Sequence, residues 1–370
     1  MVERKQLREV CFIHVGEQLN RDTLTVDGMY PVINGGKTPS GYTGKYNEKG
    51  ETITIAQGGA AGFVNWIDRD FWAGAHCYVI EPTECVNKRY LFHLLKENER
   101  QIQKKAQGAG IPGLRKTDLL SYNLVITSKS EQDRIASTLD TFSYSIENLK
   151  EQIKQRRVQS EYYRNELLSF KGSENVTMRS MGELFDFKNG LNKGKEFFGK
   201  GKLIIMFSDV FNSNSLDSIK VSSRVDISDD ELKRIDARVG DVFFTRTSET
   251  KEDVGYASVL LEDLGECTFA GFLIRARPRT NLLIPAFCKY CFSTKKMRNS
   301  IVEKSSFTTR ASLTGPGLSK ITMPIPSIEE QSHIVSILDT FEASIQNLEA
   351  QLKLREKQYE YYRNKLLTFE

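Results

Sequence analysis

No stretch of this 370-residue sequence approaches the roughly 18 consecutive apolar residues that a membrane-spanning helix needs; runs such as "KLIIMF" are far shorter. The opening "MVERKQLREV" carries charges throughout and lacks the apolar centre of a secretory leader, so no leader is expected. Six cysteines are scattered without a framework, which points to a reducing cytoplasm. Cys288 and Cys291 form a Cys-x-x-Cys with no second pair, and the four histidines, His14, His76, His93 and His333, stand apart. No metal site is expected from them, and the two thiols read as small apolar core residues at the places of Leu91 and Leu94. Catalytic equipment is also missing. There is no Asn/Asp-Pro-Pro-Tyr/Phe element of an amino-methyltransferase and no Gly-x4-Gly-Lys-Ser/Thr phosphate loop; "GLNKGKE" comes nearest, one residue short and ending in Glu196. The "DFK" at Asp186–Lys188 lacks the acidic partner a nuclease needs. No catalytic residue is expected in this chain.

Glycine and proline are absent from two particular stretches, Glu131–Phe170 and Glu330–Phe369. They are copies of each other: the offset is 199 without a gap, and 24 of 40 positions are identical, which marks an internal duplication. Each reads as one long helix. Apolar residues alternate at steps of four and three, through Ile135, Leu139, Phe142, Ile146, Leu149 and Ile153 in the first. In the second they run through Ile334, Leu338, Phe341, Ile345, Leu348 and Leu352, again a heptad seam. Arg156, Ser160 and Arg355 put polar groups into that seam. Each copy opens on a capping box, Ser128-x-x-Glu131 or Ser327-x-x-Glu330. Forty helical residues make a rod of about 60 Å. Paired rods in the order globule, rod, globule, rod must run antiparallel.

The globules are also related. "KQLREVCFIHVG" before Gly16 matches "RSMGELFDFKNG" before Gly190 in pattern. Strand-like runs follow in both: "YPVING", "TITIAQ", "GFVNWI" and "AHCYVIEP", then "KLIIMF", "DVFFTRT", "YASVLL" and "FLIRARP". Helical stretches "NKRYLFHLLKENERQIQKKA" and "IPAFCKYCFSTKKMRNSIVEK" come next, and "LSYNLVI" and "LSKITMPIP" feed the rods. The expected fold is mixed α/β. Two globular domains, 1–127 and 171–326, are separated by a pair of long antiparallel coiled-coil helices, 128–170 and 327–370, with a pseudo-two-fold internal repeat. Net charge by segment is about +3 for 1–130, −1 for 131–170, +4 for 171–329 and −2 for 330–370. That distribution suits globules that meet a polyanion and helices that meet something else.

The whole layout, with "GGKTPSG", "GETITIAQGGAAGFVNW", "GDVFFTRTSET" and the Pro-x-x-Glu-Gln-x-x-Ile style entry to the second rod, resembles the specificity subunit of type I restriction–modification systems. The first rod departs from that entry, reading "ITSKSEQDRI" without proline. The resemblance implies a non-catalytic subunit whose two target-recognition domains each read one half of a bipartite double-stranded DNA target in the major groove. Its rods would set the spacer and dock two modification (methyltransferase) subunits, with restriction subunits as possible further partners. S-adenosylmethionine, ATP and Mg would sit on those partners and no cofactor on this chain. Competing readings are a self-sufficient nuclease or methyltransferase, and a coiled-coil scaffold for protein complexes.

Base edges are read mainly by Arg, Lys, Asn and Gln, with Ser and Thr assisting. In the first domain the DNA-contacting candidates are Lys37, Thr38 and Ser40 in a Gly-rich loop, Gln57 before further glycines, and a basic ridge of Lys104, Lys105, Arg115 and Lys116. In the second they are Lys193 and Lys195, with Lys200 and Lys202 nearby; Arg246, Thr247, Ser248 and Lys251; and the ridge Lys295, Lys296, Arg298 and Arg310. Phe63, Trp66 and Trp72 read as core. The repeated Tyr-Tyr-Arg-Asn segments, Tyr162, Tyr163, Arg164, Asn165 and Tyr361, Tyr362, Arg363, Asn364, are the partner-binding candidates.

Overall fold

The two stretches free of Gly and Pro form uninterrupted helices, Lys129–Leu167 and Ile328–Leu367, in a computed structural model that describes residues 2–108, 110, 112–170 and 175–368. Lys171, the expected start of the second domain, and Phe369, the last residue of the second copy, lie outside the described residues. The chain divides into two units, 1–152 with 348–370, and 153–347, so each long helix contributes residues to both. Among the described residues no helix is long and apolar enough to cross a membrane.

In the first unit, strands Cys11–Val15, Cys77–Pro82, Thr52–Ala56 and Val64–Ile67 form an antiparallel sheet in that order. Ile53, Ile55, Tyr78 and Ile80 from the sheet share one core with Tyr90, Leu91, Leu94 and Leu95 of helix Lys88–Glu97. In the second unit, strands Phe185–Asn189, Leu273–Pro278, Val242–Thr245, Ala257–Leu260 and Ser215–Leu216 form the corresponding sheet. Helix Pro285–Phe292 packs there, and its Cys288 and Cys291 are buried in that core, where burial pushes the Cys291 thiol up to about 12. The shared opening pattern is real: the amide of Gly16 donates to Cys77 and that of Gly190 to Leu273, closing the same corner in each unit. Strand Glu3–Gln6 pairs with Asn123–Ile126, and Thr177–Ser180 with Thr322–Ile325; the second member of each pair leads into a long helix.

Two local expectations need correcting. Each helical stretch that follows the sheet is two helices: Lys88–Glu97 breaks at Asn98 before Glu99–Gln103, and Pro285–Phe292 breaks before Lys295–Glu303. The side chain of Asn98 donates to the Leu94 carbonyl, and Thr294 accepts from the Met297 amide, so both polar groups compete with helix continuation. The capping boxes are also incomplete. Ser327 accepts from the Glu330 amide at 3.2 Å, but Glu131 pairs with Arg134 and Ser128 meets Ser130.

A buried glutamine does the anchoring in both copies. Gln132 accepts from the Asn87 amide at 2.8 Å and donates to the carbonyls of Thr127 and Cys85. Gln331, 199 residues on, accepts from the Ile284 amide at 2.9 Å and donates to Leu282 and Pro326. Two turns later the glue differs. Asp140 takes Arg89 and the fully buried His93, whereas Asp339 takes the Tyr290 hydroxyl and Glu342 takes Lys289.

Within each unit the long helices meet through the same triad. Tyr362 stacks on Phe142 at 5.3 Å, and Arg355 lies over that ring at 5.7 Å. In the second unit Tyr163 stacks on Phe341 at 5.4 Å, with Arg156 at 5.9 Å. The two seam arginines therefore make cation–π contacts, which let a guanidinium sit in an apolar seam. In the first unit the partners descend the second helix as they climb the first, from Phe142–Tyr362 to Lys150–Glu356, so the pair is antiparallel.

Two predictions follow from the anchors. Gln331→Ala leaves one amide and two carbonyls without their partner and should cost about 1–3 kcal/mol, read as a lower denaturant midpoint. The other concerns His93, whose pKa is held below its ordinary value chiefly by burial, against the opposing pull of Asp140; Arg89 and Arg363 also face it. The unfolded chain takes up this proton more readily, so the contribution is complete above about pH 6.5 and is lost as pH falls below it. His93→Gln should flatten the fall in the first unit's thermal midpoint between pH 7 and pH 5.

Candidate nucleic-acid interface

One backbone frame recurs at the same end of both sheets. In the first unit the amide of Ala56 donates to Phe63 and that of Gly62 to Ala56, closing the loop 57–62. In the second the amide of Thr245 donates to Tyr256 and that of Gly255 to Thr245, closing the loop 246–255. Both closing glycines have positive φ, 83° and 70°, and a Cβ would strike the Gln103 backbone in one and Ile301 in the other. Glycine is required at both places for conformation and for space.

The first loop residue is held identically as well. Gln57 donates its amide to His76 and accepts from Leu114 at 2.7 Å; Arg246 donates to Phe272 and accepts from Leu313 at 2.9 Å. Next to each lies a matching β-connection, Gln107 opposite Gly113 and Ser306 opposite Ser312, again 199 residues apart. In the second unit this becomes a three-stranded ribbon, Thr247–Ser248 beside Ala311–Ser312 beside Ser306–Phe307. Residues 100–117 hold five Lys and Arg and no carboxylate, and 304–328 hold Lys304, Arg310 and Lys320 and no carboxylate. Each frame is thus flanked by a positive segment suited to a polyanion.

The structure brings several candidates together. The Gly-rich loop of Lys37, Thr38 and Ser40, all exposed, reaches the Gln57 loop through the Ala60 amide, which donates to Gly35 at 2.7 Å. Lys104 and Lys116 are exposed; Lys105 lies over the Tyr122 ring and Arg115 pairs with Asp118. Arg246, Thr247 and Ser248 are half-buried on the ribbon, Lys251 is exposed on its loop, and Arg310 is exposed in the hairpin.

Other candidates are occupied elsewhere. Arg298 spends its guanidinium on the carbonyls of Glu252, Val254 and Gly255 and stacks on Tyr256, so it shapes the loop from within. Lys193 pairs with Glu231 at 2.7 Å, Lys200 with Asp226, and Lys202 with Asp229 and Glu266, which neutralises that basic cluster; Lys195 stays exposed. Lys295 and Lys296 line a cleft with Tyr162, Glu161 and Asn165, apart from the ribbon set, and Lys295 pairs with Glu161. Asp186 pairs with Arg279. Trp72 is buried with its indole donating to Glu17, Trp66 lies under Arg89, and Phe63 under Lys96. His76, Phe272, Gln107, Ser306, Phe307 and Ser312 were missed; extending the 199-residue offset upstream of the rods would have found the last four.

The repeated Tyr-Tyr-Arg-Asn segments are divided between internal contacts and solvent. Tyr163 and Tyr362 belong to the helix–helix triads. Arg363 pairs with Glu97, to which Asn364 presents its amide nitrogen at 2.8 Å. Asn165 accepts from the Lys295 amide, and Arg164 is half-buried, its Nε meeting no acceptor among the described residues. Tyr162 and Tyr361, 61% and 58% exposed, are the more exposed tyrosine of each segment.

Comparison with known proteins places this arrangement. The family model described as type I restriction modification DNA specificity domain matches residues 1–156 and 173–355. A putative type I specificity subunit of Mycoplasma genitalium is 31% identical over 203 residues, 50% of this chain and 53% of that protein. One from Mycoplasma pneumoniae is 31% identical over 215 residues, 54% of this chain and 57% of that protein, so the match spans about half the length of both relatives. The EcoR124I/EcoR124II specificity subunit of Escherichia coli is 26% identical across 94% of this chain and 88% of its own. The crystal structure of a type I restriction–modification S subunit from M. genitalium shares the fold, with a TM-score of 0.69 at 20% identity, covering 100% of this chain and 97% of that one.

Arg298 and Arg310 should separate by experiment. Arg298→Ala removes charge-assisted bonds to three carbonyls and should lower the second unit's stability by about 1.5–3 kcal/mol. Arg310→Ala, at an exposed position, should stay within about 0.5 kcal/mol of wild type in the same unfolding measurement.

Proposed function

The chain belongs to the family of type I restriction–modification DNA specificity domains, and we propose on that premise that it is the sequence-reading subunit of a complex whose chemistry resides on other chains. Each unit reads one half of a split double-stranded target from the major groove. The observation that carries this reading is the repeated frame: equivalent hydrogen bonds hold loop 57–62 in one unit and loop 246–255 in the other, while the residues displayed differ. One geometry with two displays is what recognition of two unlike half-sites requires, since base identity is read by side chains while phosphate contacts fix register.

The long helices set the interval between the half-sites. At about 1.5 Å per residue each is about 60 Å long, enough to hold readers on successive major-groove faces about 34 Å apart. Two modification subunits dock along them, with Tyr162 and Tyr361 as outward anchors, and a restriction subunit can join the same assembly. S-adenosylmethionine, ATP and Mg belong to those partners, and this chain supplies no catalytic group. The complex works in the cytoplasm, on DNA.

Sequencing methylated adenines in cells with and without this chain tests the assignment. The expected result is a split motif that is methylated when the chain is present and unmethylated without it. Replacing the second unit's loop 246–255 and hairpin 306–312 by those of a relative should alter one half of the motif and leave the other intact. Loss of both halves together would refute the modular reading.

A further inference from the structure

Gln57 and Arg246 share no sequence context, yet they occupy one position. Each follows the last residue of the equivalent strand, Ala56 or Thr245, which pair with Cys77 and Leu273. Each is fixed by the same two backbone hydrogen bonds, one to the residue before the neighbouring strand and one from a buried leucine. Each is half-exposed at the mouth of its loop, beside a carboxylate-free basic segment. Both residue types bind a purine edge through paired hydrogen bonds: arginine donates to guanine O6 and N7, while glutamine accepts from adenine N6 and donates to N7.

The side chains are available for that chemistry. The Arg246 guanidinium enters no hydrogen bond or ion pair among the described residues, although carboxylates neutralise Lys193, Lys200 and Lys202 in the same unit. The Gln57 carboxamide lies beside the Tyr78 hydroxyl, which donates to the Leu114 carbonyl at 2.8 Å. Its carbonyl oxygen and an amide hydrogen remain to form the pair an adenine edge needs.

We propose that this shared position is a base-reading position: Arg246 takes a guanine in the second unit's half-target, and Gln57 takes an adenine in the first unit's. The inference rests on the DNA-reading assignment above and adds to it the residues and the bases they select. The hairpin 306–312, with Arg310 exposed beside Phe307, lies alongside Arg246 and steadies the duplex at its phosphates.

The test uses the full chain and duplexes selected by it from a random pool. Each guanine of the second half-site is replaced in turn by 7-deazaguanine, which lacks the N7 acceptor, and each adenine of the first by 7-deazaadenine. One guanine and one adenine should each weaken wild-type binding about fivefold or more. Arg246→Ala should erase the guanine effect alone and Gln57→Ala the adenine effect alone. Arg246→Gln, reselected on the pool, should replace that guanine by adenine and keep the first half-site. If no deaza position matters to the wild-type chain, the proposal falls whether or not any variant folds. If Arg246→Ala weakens all sequences equally, Arg246 is a phosphate contact and the proposal falls too. A wild-type chain that selects no split sequence would instead sink the functional assignment itself.

Discussion

A buried carboxamide at the foot of each long helix is the constraint on which the rest of the architecture stands. Gln132 and Gln331 each satisfy an amide and two carbonyls where a strand turns into a helix and a second helix begins. Backbone groups at such a junction have no regular partner and are costly to bury alone. With the glutamine in place, the helix leaves its unit at a fixed rotation. That rotation decides which residues form the seam, and so puts Phe142 and Phe341 where a tyrosine and an arginine of the opposite helix meet them. The same rotation turns Tyr162 and Tyr361 outward.

Duplication preserved this skeleton and released the rest. The glutamines and the Arg–Phe–Tyr triads are the same in both units, while the polar contact between them has diverged. One unit uses Asp140 with Arg89 and His93; the other uses Asp339 and Glu342 with Tyr290 and Lys289. Removing Asp140 would leave the buried His93 without its carboxylate, and removing Glu342 would take the nearest carboxylate from the buried Lys289.

How much of this was legible in the sequence depends on the range of the forces involved. The long helices could be read because their cause is local: heptad spacing and the absence of Gly and Pro over forty residues. The strands were equally local, and Cys288 and Cys291 could be placed in the core because they fall where Leu91 and Leu94 do. The breaks at Asn98 and before Lys295 were missed because apolar periodicity continues through them, and a single side chain capping a turn decides the outcome. Lys193 looked like a DNA contact because Glu231, which neutralises it, is remote in the chain. Arg298 looked like a surface cation for the same reason. The equivalence of Gln57 and Arg246 was hidden most deeply, since it is expressed in backbone hydrogen bonds to His76 and Leu114, and to Phe272 and Leu313, and in no shared side chain. Both residues were nevertheless singled out for their own chemistry.

The two framed loops differ in size, six residues for 57–62 and ten for 246–255, yet the same pair of hydrogen bonds and the same positive-φ glycine shut both. The entropy of closing a flexible segment grows only with the logarithm of its length, so the four extra residues cost about half a kcal/mol. Length changes between the pinned ends therefore cost little in closure entropy, apart from the contacts that Arg298 and the ribbon make with the longer loop. The displayed segment can thus change length while the frame that holds it keeps its hydrogen bonds.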